Sequence, residues 1–360
     1  MAVFIIAEAG VNHNGDPDMA LALVDEAARA GADAVKFQTF RADLLASANA
    51  PKARYQQAAT GGDGGQLAML RRLELTDALH DALVRRCKER GIEFMSTAFD
   101  EPSLRLLVDH IGVRRLKVPS GEVTNGPLLA AFAATGLPVI LSTGMCRLEE
   151  IADALALFAT VWTTGAPPSG PLDPARILAR PECRAILQDR MILLHCTTEY
   201  PAPLAEINLR AMDRMRREFG LPVGYSDHSQ GILVPVAAAA RDAVVIEKHF
   251  TLDRTLPGPD HKASLEPDEL ARMVRDIRAI ETALGNGDKE PTPSESLNIP
   301  IARRSLVAAR PIAAGEVFSS ASLTAKRPAG GLSPMAYWSL LGRPARRAYD
   351  PDEPIDQGEA

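Results

Sequence analysis

Short runs of β-branched and apolar residues alternate along this chain with longer segments whose apolar positions recur every three or four residues. Runs of the first kind predict strands covered on both faces, and segments of the second kind predict amphipathic helices packed against them. Eight strand runs are read, at 3–8 (VFIIAE), 34–38 (AVKFQ), 92–97 (IEFMST), 114–118 (RRLKV), 138–142 (PVILS), 191–196 (MILLHC), 222–226 (PVGYS) and 244–249 (VVIEKH). Helices are predicted over 17–30, 76–90, 101–110, 126–135, 148–159, 205–219, 231–240 and 267–284. In the last of these Leu270, Met273, Val274, Ile277 and Leu284 share one face, Pro267 occupies the tolerant first turn and Gly285 stops the helix. Eight βα units in about 285 residues predict a TIM (β/α)8 barrel. An open doubly wound sheet is the rival, and its glycine fingerprint is missing.

Three stretches break this rhythm. Residues 41–75, with GGDGG at 61–65, form a long excursion after the second strand and are expected to make a mobile loop over the barrel mouth. Residues 160–190, containing TTGAPPSGP, read as a Pro/Gly-rich insertion, exposed or partly disordered. The third, GNGDKEPTPSESLNIPI, has linker composition, and RRSLVAARPIAAGEVFSSASL beyond it reads as short strands and turns. The expected organisation is a barrel over 1–285, a linker over 286–302 and a small, mostly β domain over 303–360.

Composition narrows the partners. The net charge of −6 and pI near 5.7 give no reason to expect nucleic acid or an anionic membrane. Between Arg303 and Tyr349, however, eight Arg or Lys stand against one acid, Glu316. That suits an anionic ligand, although a solvated basic face is the commoner reason for such a stretch. Cys87, Cys146, Cys183 and Cys196 have neither CxxC spacing nor a dense framework, which fits reduced thiols. No signal segment is read before Val3-Phe4-Ile5, and no run approaches the roughly 18 apolar residues of a membrane span. A cytoplasmic protein is expected.

In a TIM barrel the reacting groups stand at the C-terminal ends of the strands. Those ends supply Glu8, Lys36 and Gln38, Ser96, Lys117 and Ser120, Ser142 and Thr143, His195 with Thr197 and Thr198, Ser226 and His228, and Glu247 with Lys248 and His249. Lys36 and Lys117 lie inside apolar strand patterns, where an unpaired ammonium is costly to bury, so each needs an anionic partner. A structural salt bridge would serve either lysine alone. Together with Ser120, Ser142 and Ser226 they look more like a cradle for phosphate and carboxylate oxygens. His228 and His249 close neighbouring strands, with Asp227 and Glu247 close by, and two imidazoles with open positions suit a divalent ion acting as Lewis acid. Hydrogen-bonded structural histidines are the plainer alternative. Glu8 and Glu122 are carboxylates able to handle protons or simply to neutralise a lysine.

At this point the residues become recognisable. IAEAGVNHNGD at 6–16, AGADAVKFQTF at 30–40 and KVPSGEVTN at 117–125 closely resemble the sialic acid synthase family. So do ILSTGM at 140–145, LLHCTTEYPAP at 193–203, GYSDHS at 224–229, EKHFTLDRTLPGPDHKAS at 247–264, ARRSLVA at 302–308 and KRPAGG at 326–331. The resemblance implies an enzyme that condenses phosphoenolpyruvate with an N-acetylated amino-sugar aldehyde to a nonulosonic acid, releasing phosphate. It implies a TIM barrel followed by an antifreeze-like β-clip (SAF) domain, in a domain-swapped homodimer where that domain caps the partner's barrel. By motif match, Lys36, Lys117, Ser120, Ser142, Thr198 and Ser226 would hold phosphoenolpyruvate, and His228 and His249 a Mn²⁺ or Mg²⁺ ion. Gln38, Tyr200 and Asp260 would hold the sugar, joined by Arg327 across the dimer, and Glu8, Lys117 and Glu122 would serve catalysis.

The sequence departs from the neuraminate pattern at Thr198, where those synthases carry Asn beside the phosphate. The TEYP run at 198–201 looks more like the legionaminate branch, whose acceptor is a diacetamido trideoxy sugar. The insertion at 160–190 has no counterpart in the family pattern. A related synthase acting on a phosphorylated sugar would need extra arginines for that phosphate and would lack the C-terminal domain. A non-catalytic carbohydrate- or ice-binding protein would have no use for the lysines and histidines, and all four are present.

Overall fold

The computed structural model describes residues 2–53, 56–57 and 65–359. Eight parallel strands, β1 (Phe4–Gly10), β2 (Ala34–Thr39), β3 (Glu93–Ala98), β4 (Leu116–Val118), β5 (Val139–Ser142), β6 (Met191–His195), β7 (Val223–Asp227) and β8 (Val245–His249), pair in chain order and close with β8 against β1. Strand alternation divides their side chains between two environments. Ile5, Ala7, Val35, Phe37, Leu141, Leu193, Tyr225 and Ile246 point outward into one continuous core with the surrounding helices. Ile6, Ala34, Met95, Ile140, Leu194 and Val245 form a separate cluster inside the barrel. Two residues further along the same strands, or just past their ends, come Glu8, Lys36, Thr97, Ser142, Cys196 and Glu247. The barrel thus carries a polar layer on top of an apolar plug.

The helices differ from the sequence pattern mainly at their ends, for local reasons. The helix Leu148–Thr164 runs beyond 159 because Val161 and Trp162 continue its apolar period; Gly165, at φ +74, ends it. The helix predicted from 205 begins as a short 3₁₀ turn and becomes regular only at Arg210–Phe219, after Asn208 at φ 49.

Residues 160–190 and the described part of 41–75, both expected as loops, are ordered structure. Residues 160–190 contain the helices Pro174–Leu178 and Pro181–Arg190, with Cys183 and Leu187 buried, so this insertion is not disordered. Within 41–75, Ala42–Leu45 and Gln66–Arg71 are helical and bury Ala42, Met69 and Leu70, while most of the GGDGG run lies outside the described residues. The described part is a packed wall.

The chain divides into two compact units, 1–285 and 286–360. The stretch 286–302, expected as linker, contains the helix Pro293–Ala302, which buries none of its residues. In the second unit β9 (Ser305–Ala308) pairs antiparallel with β10 (Leu323–Lys326) over a core that includes Leu306, Phe318, Leu340, Tyr349 and Ile355. Its basic residues are partly neutralised locally. Arg310 pairs with Glu316 at 2.7 Å, Arg347 with Glu353 and Asp356 at 2.7 Å each, and Lys326 with Asp352. Among the described residues no helix is long and apolar enough to cross a membrane, and all four cysteines are unpaired.

Candidate active site

The polar layer opens into a cavity of about 300 Å³ at the C-terminal rim of the barrel. Glu8, Lys36, Gln38, Lys117, Ser120, Glu122, Ser142, Thr198, Tyr200, Ser226, His228, His249 and Asp260 all line it. Its centre is a buried charge network. Lys36 Nζ meets Glu8 Oε2 at 2.6 Å, lies 3.6 Å from Glu247 and donates to Thr97 Oγ1 at 3.0 Å. Lys117 Nζ stands 3.4 Å from Glu247 Oε1, the oxygen that also accepts from Ser226 Oγ at 2.8 Å.

The two carboxylates are in different states. Burial raises Glu8 to about 7, against the attraction of Lys36. Burial opposes ionisation of Glu247 as well, but Lys117 and Lys36 outweigh it and hold Glu247 down at about 2. Burial lowers Lys117, whereas the neighbouring carboxylates hold Lys36 above its usual range in spite of burial. Two ammonium groups thus face one firmly ionised carboxylate, Glu247, and one, Glu8, that titrates close to neutral pH. The layer is short of negative charge and suits an oxyanion.

A cradle of small groups lies beside it. Ser120 Oγ accepts the Gly144 amide at 2.8 Å and lies 3.2 Å from Cys196 Sγ. A Cβ at position 144 would collide with Thr198 Oγ1 and Cys196 Sγ, so only glycine lets these groups close in. Ser142 Oγ and Thr198 Oγ1 are buried without a hydrogen-bond partner, an arrangement that favours a ligand with acceptor oxygens.

The histidine pair occupies the next sector. The His228 and His249 rings lie 5.5 Å apart between centroids, and Tyr200 lies at 4.1 Å over His228 and edge-on to His249 at 5.5 Å. Burial holds His228 at about 4 and, with His228 and Lys36 nearby, holds His249 well below its usual value. Both rings are therefore neutral and have lone pairs to give. His228 Nδ1 is engaged by the Thr197 carbonyl at 2.6 Å, so Nε2 is the atom of this ring that could coordinate a metal. His249 Nδ1 is buried without a hydrogen bond, 3.9 Å from Asp260 Oδ2, and burial raises Asp260 to about 6. Among the described residues no group of three or more His, Cys, Asp or Glu could hold a metal ion. The donor set fits a divalent ion only as an open site completed by substrate and water.

Several residues named from the strand ends point away. Ser96 bonds to Thr39 at 2.7 Å, Thr143 to the Leu194 carbonyl at 2.9 Å and His195 to the Ile207 carbonyl at 2.7 Å. Asp227 and Lys248, beside the site in sequence, form a fully buried ion pair at 2.5 Å outside the cavity. Adjacent strand residues face opposite ways, so the neighbours of Ser226, His228, Glu247 and His249 cannot share their site. Arg327 is exposed in the second unit. Glu122 ends the 3₁₀ turn Ser120–Glu122 and accepts from Asn125 Nδ2 at 2.7 Å.

Sequence reasoning missed the part of Glu247 as the shared partner of both lysines. The signal was present, since it stands two residues before His249 and so on the same face. Thr97 and Cys196 carried no signal. Nor did the apolar side of the cavity, formed by Val11, Leu45, Met69, Leu70, Leu73 and Phe99.

A closed (β/α)8 barrel with buried lysines, unpartnered hydroxyls and two neutral imidazoles at its rim has the layout of a barrel enzyme whose pocket suits a small oxyanion. The chain belongs to the NeuB family, whose model matches residues 23–289, and a SAF domain matches residues 303–358. It is 47% identical to N,N'-diacetyllegionaminic acid synthase of Campylobacter jejuni, over 98% of each chain. It is 45% identical to the protein of the same name from Legionella pneumophila, over 95% of this chain and 90% of that one. The crystal structure of N-acetylneuraminic acid (sialic acid) synthetase from Leptospira borgpetersenii, in complex with citrate, aligns with a TM-score of 0.66 at 36% identity, covering 83% of this chain and 90% of that one.

Proposed function

We propose that this chain condenses phosphoenolpyruvate with 2,4-diacetamido-2,4,6-trideoxymannose and water, giving N,N'-diacetyllegionaminate and inorganic phosphate. The observation that carries this reading is the pair of buried lysines, Lys36 and Lys117, set in a cavity with unpartnered hydroxyls. The names of the relatives that are 45–47% identical supply the product, and removing the three pyruvate carbons from it leaves the diacetamido trideoxy sugar as acceptor.

In the reaction, Lys36 and Lys117 with Ser120, Ser142, Thr198 and Ser226 hold the carboxylate and phosphate of phosphoenolpyruvate. Gln38, Tyr200 and Asp260 orient the acceptor so that its aldehyde carbon meets the terminal methylene carbon. A new carbon–carbon bond forms there, and the aldehyde oxygen takes a proton. Water then adds to the former enol carbon, and cleavage of its bond to the phosphate oxygen releases phosphate. Glu8, poised at about 7, is the residue able to give or take a proton near neutral pH, with Glu122 at the rim as the second carboxylate. The lysines offset the negative charge of the departing phosphate in a site poor in water. A Mn²⁺ or Mg²⁺ ion held by His228 and His249 would supply Lewis-acid polarisation of the acceptor carbonyl.

The unpaired cysteines support work in a reducing compartment, the cytoplasm. The family resemblance supports a homodimer in which Arg327 serves the partner's acceptor. The test is to incubate the protein with phosphoenolpyruvate, Mn²⁺ and either N-acetylmannosamine or the diacetamido sugar, following phosphate release and identifying the product by NMR. Phosphate release with neither sugar refutes the proposal.

A further inference from the structure

The cavity is lopsided. One side carries the lysines, carboxylates and imidazoles, and the other is built from the segment that interrupts the barrel rhythm after β2. We infer that this segment selects the acceptor: Leu45, Met69 and Leu73 form a dry wall for the methyl groups of a deoxygenated, multiply N-acetylated sugar and disfavour a sugar with a hydroxymethyl group there. The inference rests on the condensation reading above.

Three observations support it. The wall is a hydrophobic cluster of its own, separate from the barrel core, in which Met69, Leu70 and Leu73 pack with Val11 and Phe40. Val11, Met69, Leu70 and Leu73 of this cluster line the cavity while staying almost wholly buried, with Met69 and Leu73 each 6% exposed, and the partly buried Leu45 lines it beside them. It is also fixed in place: the Arg41 amide donates to Asp100 at 2.7 Å and the Ala42 amide to Glu74 at 2.5 Å. On its far side, a Cβ at Gly15 would run into the Arg72 carbonyl, so the wall is packed closely against the loop after β1.

The lining residues described in this segment, Leu45, Gln56, Gln66, Met69, Leu70 and Leu73, include no charged group. The two candidate acceptors differ in what such a wall can use. The diacetamido trideoxy sugar offers three methyl groups, two on acetamides and one at C6, with amide groups that glutamines can meet. N-acetylmannosamine offers one methyl and places a hydroxyl at C4 and at C6. An apolar surface gains from each methyl it covers, and leaves a hydroxyl that it desolvates without a partner.

The experiment compares kcat/KM for the two sugars in the unsubstituted full-length protein and in Met69→Gln and Leu45→Asn. Leu45 is only partly buried, so its variant tests the idea where the fold is least at risk. Affinity for phosphoenolpyruvate is measured separately by calorimetry. The unsubstituted protein should prefer the diacetamido sugar by about 100-fold, and each variant should lower that preference roughly 10-fold, by loss on the diacetamido sugar, with phosphoenolpyruvate affinity kept within about twofold. Equal use of both sugars by the unsubstituted protein, or equal loss on both in the variants, overturns the inference and leaves the condensation reading intact. Turnover of neither sugar refutes the condensation reading itself, and the inference falls with it.

Discussion

Asp227 and Lys248 offer a test of how the site is held from behind. They meet at 2.5 Å with no exposed surface, and each lies between residues that line the cavity, Ser226 and His228 on one strand and Glu247 and His249 on the other. Asp227 also accepts the amide and the hydroxyl of Ser229, both at 3.0 Å, and Lys248 donates to the Ser229 carbonyl. Lys248→Met leaves a buried carboxylate with two neutral donors, and Asp227→Leu leaves a buried ammonium with one carbonyl. Breaking a buried pair from either side costs about 3–5 kcal/mol, roughly a fifth or more of the stability of an ordinary domain. The double variant removes both charges and strands only the polar groups of Ser229, at about 1–3 kcal/mol. It should therefore be more stable than either single variant, with a coupling of several kcal/mol. Urea unfolding followed by tryptophan fluorescence measures this. The chain has two tryptophans, Trp162 in the barrel and Trp338 in the second unit, so a Trp338→Phe background isolates the barrel transition. A Lys248→Met variant within about 1 kcal/mol of the parent, or a double variant that loses the sum of the two singles, would refute the reasoning.

Lys117→Met should weaken phosphoenolpyruvate binding by roughly 10- to 150-fold in calorimetry, the worth of a charge-assisted hydrogen bond, while Lys117→Arg should recover only part because the guanidinium fork is larger. His228→Gln or His249→Gln should abolish Mn²⁺ binding read by electron paramagnetic resonance on the protein without substrates; unchanged binding would remove the metal assignment. His13 is buried and held at about 4, against its ordinary 6.5, mainly by burial. A group whose pKa is depressed by folding keeps its full contribution above the ordinary value and loses it as pH falls, so stability should drop by roughly 3 kcal/mol between pH 6.5 and 4 on account of His13. His13→Gln should flatten that slope by one proton in urea titrations at several pH values.

The barrel was legible because its strands are apolar on both faces and its helices on one, a contrast visible in composition alone. The candidate site was legible to the extent that charge stands out against an apolar run, as with Lys36, Lys117 and the histidines. Identity without parity misleads, however. Ser96, Thr143 and His195 stand beside site residues yet face the helices, and Asp227 reads as a neighbour of His228 while serving Lys248. The wall after β2 was not legible, since helices as short as Ala42–Leu45 and Gln66–Arg71 hold too few turns to show a period. The helices within 160–190 were hidden by the prolines that start them at Pro174 and Pro181. What those prolines do is set the first turn, which composition cannot tell from breaking a helix.

The apolar plug beneath the polar layer gives the cavity a floor but no lower exit. A vessel with one opening imposes a sequence of filling. If the lysines at the bottom take the anion, the anion has to arrive first, and an acceptor seated above it stoppers the vessel. Whatever lies beneath cannot leave until the acceptor does, so an isotope-labelled anion bound before mixing should be carried into product instead of exchanging with an unlabelled pool. The same stopper leaves no thoroughfare for bulk solvent, so the water that the proposed condensation consumes would be among the molecules enclosed beneath the acceptor.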